Sequence, residues 1–202
     1  FNIGADAVFN MASSLNFGKS FDICEGIASA AGSMPQRESL DNIAHLANFS
    51  IGQGELLLSP AAMLTLYCAA AYDGSYALPT AVAGTLAGGK FTPAAGRGRT
   101  RVMTEKTAKK LREYLSAVIT EGTGKAAAPK TVSAAGKTAT AQTGRYEKGK
   151  EICEGWFCGF FPAEEPQYTV IVFSENIEKQ TKNCAEIFAA IADRLSENGG
   201  LQ

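Results

Sequence analysis

The residues best suited to chemistry lie between positions 134 and 144, in the segment Ala-Ala-Gly-Lys-Thr-Ala-Thr-Ala-Gln-Thr-Gly. One lysine and three threonines alternate there with small residues, which let another backbone approach closely, as at the wall of a binding site. A cation beside two hydroxyls could hold a carboxylate. The alternative is an ordinary amphipathic strand with solvated lysine and threonine side chains. As a strand, the segment has two faces, with Thr138, Thr140 and Gln142 on one and Lys137, Ala139 and Ala141 on the other.

Composition narrows the classes of partner. The 202 residues suffice for one domain with a proper core, or for most of a larger one. With 19 basic and 20 acidic residues, the formal net charge is −1. This balance does not indicate nucleic acid or an anionic membrane as a partner, so a small polar substrate or a protein fits better.

Neither a metal centre nor a cofactor is indicated. The chain has five cysteines and one histidine, His45, and no two cysteines have metal-ligand spacing. Cys153 and Cys158 are expected on opposite faces of one strand, too far apart to form a disulfide. Free thiols are therefore predicted, and other pairings remain open.

Two features concern membranes and the extent of the chain. The most apolar run, residues 60–72, is about half as long as a bilayer span, and no secretory pattern opens the sequence. Because the sequence starts at Phe1 and not at a methionine, we expect it to be a piece of a longer protein.

The first 130 residues are predicted to be mainly helical, with irregular connections. Helices are predicted at residues 5–15, 60–72 and 104–120, and Ser59 should cap the second. The segment Gly52-Gln53-Gly54 predicts a tight turn, with a phosphate cradle as the alternative. Residues 31–35 should form a loop. Residues 74–101 should form a Gly/Pro-rich connection, with strand candidates near 77–86 and a solvated loop containing Arg97, Arg99 and Arg101.

After Val132 the pattern favours strands. Strands at 137–143, 152–160 and 168–174, joined by turns at 144–149 and 162–166, predict an antiparallel meander. The third is apolar enough on both faces to be a central strand. A helix at 184–195, opened by a capping box of Asn183 and Glu186, should pack across the sheet. The predicted fold class is therefore α/β of the α+β type, an antiparallel sheet flanked by helices with a helical lobe.

Four sequence blocks in order resemble the C-terminal half of the transpeptidase domain of class B penicillin-binding proteins. Any one block is weak, but their order and spacing make a chance match improbable, and the resemblance extends from about Gly4 to Ala192. The blocks are Ile51-Gly-Gln-Gly-Glu55 with Ser59-Pro60 and Met63, Glu121-Gly-Thr-Gly-Lys-Ala-Ala127, Gly136-Lys-Thr-Ala-Thr-Ala-Gln142, and Trp156-Phe-Cys-Gly-Phe-Phe-Pro-Ala-Glu-Glu-Pro166.

The resemblance implies a penicillin-binding-protein or serine β-lactamase-like fold that is incomplete at its N-terminal side. Residues 1–202 would be the C-terminal portion of one transpeptidase domain. Residues 1–130 would form the helical lobe and connections, and residues 131–202 the three-stranded meander with the last helix. Family enzymes form a serine acyl-enzyme at a site lined by Ser-x-x-Lys, Ser-x-Asn and Lys-Thr-Gly motifs. Only the third motif is matched, by Lys137-Thr138-Ala139.

The resemblance also implies roles for individual residues. Lys137 would set the electrostatics of the cleft and help proton transfer, and the backbone N–H of Thr140 would serve an oxyanion hole, so these two are the expected catalytic residues. Thr138 and Thr140 would bind the carboxylate of a D-Ala-D-Ala stem peptide or of a β-lactam. Ala139 and Gln142 complete the expected substrate-binding set. An extended stem peptide would lie along this edge strand.

Two departures from the family pattern matter. Ala139 stands where the motif usually has glycine, and its methyl group is expected to change β-lactam affinity without abolishing acylation. No Ser-x-x-Lys occurs in the 202 residues, and Ser14-Leu15-Asn16 is interpreted as a helix end. The nucleophile and the true Ser-x-Asn are therefore expected upstream of Phe1.

The resemblance implies part of a serine-type D,D-transpeptidase that cross-links peptidoglycan at the extracytoplasmic face of the cell membrane, held there by an upstream anchor. The 202 residues alone are expected to be inactive. Alternatives are a non-catalytic β-lactam sensor or scaffold of the same fold, or a carboxypeptidase or β-lactamase. Expected partners are stem peptides, β-lactams and other cell-wall synthesis proteins. The missing N-terminal part or a second copy should cover an otherwise exposed apolar edge of the sheet.

Overall fold

Two compact units make up the part of the chain that the computed structural model describes, residues 3–179 and 181–201. The first contains the residues up to Leu66 together with Ser75–Val102. The second contains Tyr67–Gly74 and the residues from Met103 onward. Helices and antiparallel strands occur in both, which confirms the predicted α+β class.

The first unit is built from short elements. Its helices are α1 (Gly4–Ser14), α2 (Ile43–Ser50) and the part of α3 (Pro60–Ala71) that ends at Leu66. Its strands are β1 (Asp22–Cys24), β2 (Ile27–Ala28), β3 (Ser75–Ala77), β4 (Gly84–Ala87), β5 (Lys90–Pro93) and β6 (Arg99–Arg101). They pair antiparallel as β1 with β2, β3 with β6, and β4 with β5.

Local side-chain bonds fix the helix ends where the sequence predicts them. The Ser59 hydroxyl accepts a hydrogen bond from the N–H of Ala62 at 3.2 Å and so caps α3. Ser14 is the last residue of α1, and its hydroxyl donates to the carbonyl oxygen of Met11 at 2.7 Å. The interpretation of Ser14-Leu15-Asn16 as a helix end is therefore confirmed.

The predicted basic loop is wrong in part. Arg99 begins β6, and Thr100 lies opposite the buried Tyr76 of β3. The strand candidates near 77–86 are also misplaced, because residues 78–83 lie outside strands and β4 begins only at Gly84. An Arg-Thr-Arg segment has no apolar alternation, so its strand conformation comes from pairing with a distant segment.

The second unit is organised on one antiparallel sheet. After α4 (Glu105–Thr120) come β7 (Ala135–Glu147), β8 (Lys150–Phe161) and β9 (Tyr168–Ser174), which pair in that order, and α5 (Cys184–Glu197) follows. Among the described residues β8 is the middle strand and β9 an outer one. The expectation that the third strand is central is therefore wrong for this chain.

No helix in the described ranges combines the length and apolar character needed to cross a membrane.

The β7–β8 hairpin is longer than predicted. Pairing continues into the segment 144–149 that is expected to form the turn, as far as Glu147 opposite Lys150, after a register shift between Gln142 and Tyr146. Lys148 and Gly149, with φ of 51° and 78°, make the tight turn. The bulge and the polar side chains remove the regular alternation that would have revealed the extension.

Three phenylalanines join α5 to the sheet. Phe157, Phe161 and Phe188 are fully buried, and the ring of Phe188 lies 4.6 Å from that of Phe157 and 5.8 Å from that of Phe161, between centroids. The predicted capping box is confirmed, because Asn183 Oδ1 accepts from the N–H of Glu186 while Glu186 Oε2 accepts from the N–H of Asn183. This core holds one face of the sheet against the helix.

Two glycines make room for Phe157. A Cβ at Gly136 would lie 2.7 Å from both the Phe157 ring and the carbonyl oxygen of Cys158. A Cβ at Gly159, which faces Gly136 across the two strands, would lie 2.5 Å from the carbonyl oxygen of Ala135. The position of the buried Phe157 ring therefore requires glycine at position 136, immediately before Lys137.

Candidate functional site

The outer strand β7 contributes Thr138, Ala139 and Thr140 to a cavity of about 470 Å³. Its other walls come from the loop after α4, from β8, from the connection between β9 and α5, and from the first turn of α5. These walls consist of Thr123, Ala126, Gly155, Trp156, Ile177, Thr181, Asn183, Cys184, Ala185 and Glu186. The cavity is therefore enclosed by segments far apart in the sequence.

Thr123 and Thr138 bring two hydroxyls together in this cavity. Their Oγ1 atoms are 3.4 Å apart. Thr123 is held by a turn in which the N–H of Gly124 donates to the carbonyl oxygen of Val118 at 2.9 Å. A Cβ at Gly122 or Gly124 would lie 3.0 Å from Val118, so a larger residue at either position would require Val118 to shift by a few tenths of an ångström.

The predicted alternation of β7 is confirmed by its register. Lys137 lies opposite Cys158 and Thr138 opposite Phe157, which places the two side chains on opposite faces. Thr140, two residues beyond Thr138, shares the face of Thr138. Both threonines line the cavity, and a threonine hydroxyl can both donate a hydrogen bond to a ligand and accept one from it.

Lys137 and Gln142 are not among the residues that line the cavity. Lys137 is exposed, and its Nζ donates to the carbonyl oxygen of Thr138 at 2.8 Å. Gln142 Nε2 donates to Glu151 Oε2 at 3.0 Å. The structure therefore groups three of the five predicted site residues, Thr138, Ala139 and Thr140, and places the other two outside the lining.

Ala139 lies directly opposite Trp156 in the register of β7 and β8. The Trp156 ring packs on Phe173 with centroids 4.4 Å apart and planes inclined by 48°. The methyl group that replaces the usual glycine hydrogen therefore belongs to the aromatic face of the sheet, opposite to the threonine side chains. The strand accommodates it without losing its pairing.

The cysteines near the cavity are protonated thiols. Burial raises the pKa of Cys184, and burial together with the neighbouring Cys184 raises the pKa of Cys158 to about 12. Neither sulfur offers a thiolate at neutral pH, and all five cysteines are free of disulfides. Within residues 3–179 and 181–201, no group of three or more metal-ligating side chains occurs.

Several residues of the cavity are not predicted from the sequence. The Gly-Thr-Gly pattern could have identified Thr123, because a hydroxyl between two glycines is positioned by backbone alone. Nothing comparable marks Ile177 or Thr181. They reach the cavity only through the path of the chain between β9 and α5.

The fold agrees with a family assignment. The family model for the penicillin binding protein transpeptidase domain matches residues 1–193. The chain therefore belongs to the penicillin-binding protein transpeptidase family, and the predicted resemblance is confirmed.

Individual relatives fit this assignment. Peptidoglycan D,D-transpeptidase MrdA of Acinetobacter baumannii is 32% identical over 139 residues, which are 63% of this chain and 21% of that protein. Stage V sporulation protein D of Bacillus subtilis is 38% identical over 79 residues, which are 38% of this chain and 12% of that protein.

Solved structures support the same fold. Penicillin-binding protein 3 of Mycobacterium tuberculosis, complexed with aztreonam, has a TM-score of 0.82 and 26% identity, over 98% of this chain and 47% of that one. The transpeptidase domain of Burkholderia pseudomallei penicillin-binding protein 3 has a TM-score of 0.79 at 24% identity, over 96% of this chain and 58% of that one. The chain thus spans about half of these structures, and matches about a fifth or less of the curated relatives' length.

Proposed function

We propose that the chain is part of a peptidoglycan D,D-transpeptidase, a penicillin-binding protein that cross-links stem peptides through a serine acyl-enzyme and is acylated by β-lactams. The observation that carries this proposal is the placement of Thr138 and Thr140 in one cavity along an outer strand. Family membership supports it, and the relative MrdA is named for this activity.

The threonines are proposed to bind the C-terminal carboxylate of a D-Ala-D-Ala stem peptide or of a β-lactam. Two hydroxyl donors on the same face of one strand can each donate to an oxygen of a bound carboxylate. Thr123 lies within reach of Thr138 and, by donating to it, would leave the proton of Thr138 directed at the ligand. We therefore assign Thr123 as a positioning residue.

The backbone of β7 is proposed to position the rest of the substrate. No strand of the described chain pairs with the outer edge of β7, so an extended peptide could add there through main-chain hydrogen bonds. The N–H of Thr140 would then serve an oxyanion hole, and Lys137 would contribute positive charge from the opposite face of the same strand. Ala139, with its small side chain, leaves room for the peptide backbone.

The nucleophile is proposed to be a serine outside the 202 residues. Acylation needs a hydroxyl activated by a base, and no Ser-x-x-Lys is present in this sequence. The 202-residue chain on its own would therefore not react with penicillin. In the full-length protein, the site would work at the extracytoplasmic face of the cell membrane, alongside other cell-wall synthesis proteins.

The carboxylate contact can be tested by steady-state kinetics of the full-length protein. The two substrates are a diacetyl-Lys-D-Ala-D-Ala peptide and the same peptide with a C-terminal amide. Thr138→Val and Thr140→Val each remove a hydroxyl at nearly constant volume. Each should lower kcat/KM for the acid by about 10- to 100-fold, the value of one hydrogen bond to a charged group, and barely change it for the amide.

Thr120→Val is the matched control. Thr120 is exposed at the end of α4, its hydroxyl donates to the carbonyl oxygen of Ser116 at 3.3 Å, and it does not line the cavity. Equal losses for acid and amide, or no loss in either threonine variant, would refute the carboxylate contact.

A further inference from the structure

The Gly52-Gln53-Gly54 turn helps to enclose a small cavity in the first unit. Its two glycines have φ of 76° and 81°, in the left-handed region that glycine adopts without strain. The N–H of Gln53 donates to the carbonyl oxygen of Asn48 at 2.9 Å, and the Ser33 hydroxyl donates to the carbonyl oxygen of Glu55 at 2.6 Å. The first of these bonds holds the turn to the end of α2, and the predicted tight turn is confirmed.

The inner wall of this cavity is apolar. It is formed by the buried residues Pro35, Leu40 and Phe49, of which Leu40 is 1% exposed and Phe49 is 6% exposed. The volume is about 150 Å³. Sites for drug-sized ligands have roughly 300–1,000 Å³. The cavity therefore suits one short aliphatic chain and not a whole ligand of that size.

Four polar side chains complete the lining, those of His45, Asn48, Gln53 and Glu55. Gln53 is half-buried and the other three are exposed, so the cavity is open to solvent. Within the part of the chain that the structure describes, none of the four side chains forms a hydrogen bond or an ion pair with another residue. Their polar atoms are therefore available to a ligand.

The chemistry of these side chains favours a cation. Glu55 brings a formal negative charge, and none of the described residues that line the cavity is a lysine or an arginine. A carboxylate, two carboxamide oxygens and an imidazole nitrogen can all accept hydrogen bonds, and an ammonium group offers three donors and no acceptor. An anion would instead be repelled by Glu55 with no cation to offset it. The phosphate alternative for the Gly52-Gln53-Gly54 turn is therefore disfavoured.

We propose that this cavity binds a primary alkylammonium group, the group that a lysine side chain or a free diamine carries. The methylene chain packs on Leu40 and Phe49, and the ammonium lies at the polar rim, where Glu55 and Gln53 accept its hydrogen bonds. A lysine-type chain fits better than arginine, because its head group is smaller and does not need a bidentate carboxylate partner. The proposal uses no residue of the Thr138 cavity, so it stands apart from the proposed function.

Saturation-transfer difference NMR with the full-length protein tests the site, because the method detects weak binding of small molecules to large proteins. The probe is Nα-acetyl-lysine methylamide. Its binding should be saturable, and its side-chain methylenes should receive more saturation than its acetyl methyl group, since they contact Leu40 and Phe49. The analogue with a methyl group in place of the ammonium should bind at least about twofold more weakly, because it cannot pair with Glu55.

Variants locate the binding. Glu55→Gln should weaken binding of the lysine analogue by about two- to fivefold, the value of an exposed ion pair. Gln53→Leu should weaken it by about two- to tenfold, because one hydrogen-bond acceptor is lost. Glu25→Gln is the matched control and should leave affinity unchanged, since Glu25 is exposed in the same unit and does not line the cavity. Thermal unfolding followed by circular dichroism shows whether each variant is folded.

Several outcomes would overturn the proposal. They are absence of saturable binding, equal binding of the methyl analogue, and binding that neither Glu55→Gln nor Gln53→Leu weakens. Inorganic phosphate that binds to the parent protein, and more tightly to Glu55→Gln, would make the turn an anion site instead. Equal binding of the arginine analogue would overturn the assignment to a primary amine. Tighter binding of 1,5-diaminopentane than of the lysine analogue, weakened by Glu55→Gln, would support the ammonium site and identify a free diamine as its ligand.

Discussion

Gly136→Ala should be strongly destabilising, although it adds a single methyl group. The new Cβ would lie 2.7 Å from the carbonyl oxygen of Cys158 and 2.7 Å from two atoms of the Phe157 ring. The ring has no free space to enter, because Phe157 is fully buried and packs on Phe188 with 4.6 Å between centroids. β7 and β8 must therefore separate at Gly136, the residue before Lys137.

The magnitude follows from the cost of overpacking a core. Such changes cost about 1–3 kcal/mol, and a clash with backbone as well as a ring favours the upper half, about 2–3 kcal/mol. For a chain of this length, that loss corresponds to a fall in Tm of roughly 4–12 °C. The assay is urea unfolding followed by circular dichroism, with thermal unfolding as a second measurement.

Two comparisons make this prediction sharp. Gly96→Ala is the matched control, since a Cβ there meets nothing within 4 Å, and it should stay within about 0.5 kcal/mol of the parent protein. In a Phe157→Leu background the cost of Gly136→Ala should shrink by at least about 0.5 kcal/mol, because the obstructing ring is gone. A cost below about 0.5 kcal/mol, or the same cost in both backgrounds, would refute the packing argument.

Two further predictions concern contacts that hold the second unit together. Asp193→Ala should destabilise by about 1–2 kcal/mol and Asp193→Asn by less, because Asp193 Oδ1 accepts hydrogen bonds from the Thr131 hydroxyl at 2.9 Å and from the N–H groups of Lys130 and Thr131 at 2.6 and 3.0 Å. Burial raises the pKa of Asp193, but these hydrogen bonds outweigh burial and lower it. The stability that Asp193 contributes is therefore complete above about pH 4 and is lost as the pH falls through the lowered pKa. Urea unfolding between pH 2 and pH 7 should show that Asp193→Asn lacks this loss of stability, and equal pH dependence of the variant and its parent would contradict the assignment. Arg112→Ala should cost about 1.5–3 kcal/mol and speed amide exchange in the last turn of α3, whereas Arg112→Lys should lose only part of that. The reason is that Arg112 Nη1 donates to the carbonyl oxygens of Ala70, Ala71 and Tyr72, and unchanged exchange in Arg112→Ala would contradict it.

The elements that the sequence predicts well are set by local interactions. Ser59, Thr104 and Asn183 each cap a helix through a bond to a backbone N–H within three residues, so their signal lies in a short window. The meander of β7, β8 and β9 was equally accessible, because short turns between apolar strands leave few other pairings. The order of the family blocks supplied the rest of the fold.

The features that escaped prediction depend on distant partners. β6 is polar and becomes a strand only by pairing with β3. Its position in the sequence makes Arg112 look like a solvated residue of α4. Its side chain nevertheless donates hydrogen bonds at the C-terminal end of α3, 40 positions away in the sequence. In the site, Thr138 and Thr140 follow from strand alternation, whereas Thr123, Ile177 and Thr181 join them only in three dimensions.

The rate of acylation by a fluorescent penicillin tests the central claim most directly. The full-length protein should be labelled on a serine, and Thr138→Val combined with Thr140→Val should reduce the second-order rate constant by about 100-fold or more, because two bonds to the carboxylate are lost. Thr120→Val should stay within about twofold. A folded full-length protein that is not labelled, or a double variant labelled as fast as its parent, would contradict the assignment of this strand as the carboxylate-binding wall of the site.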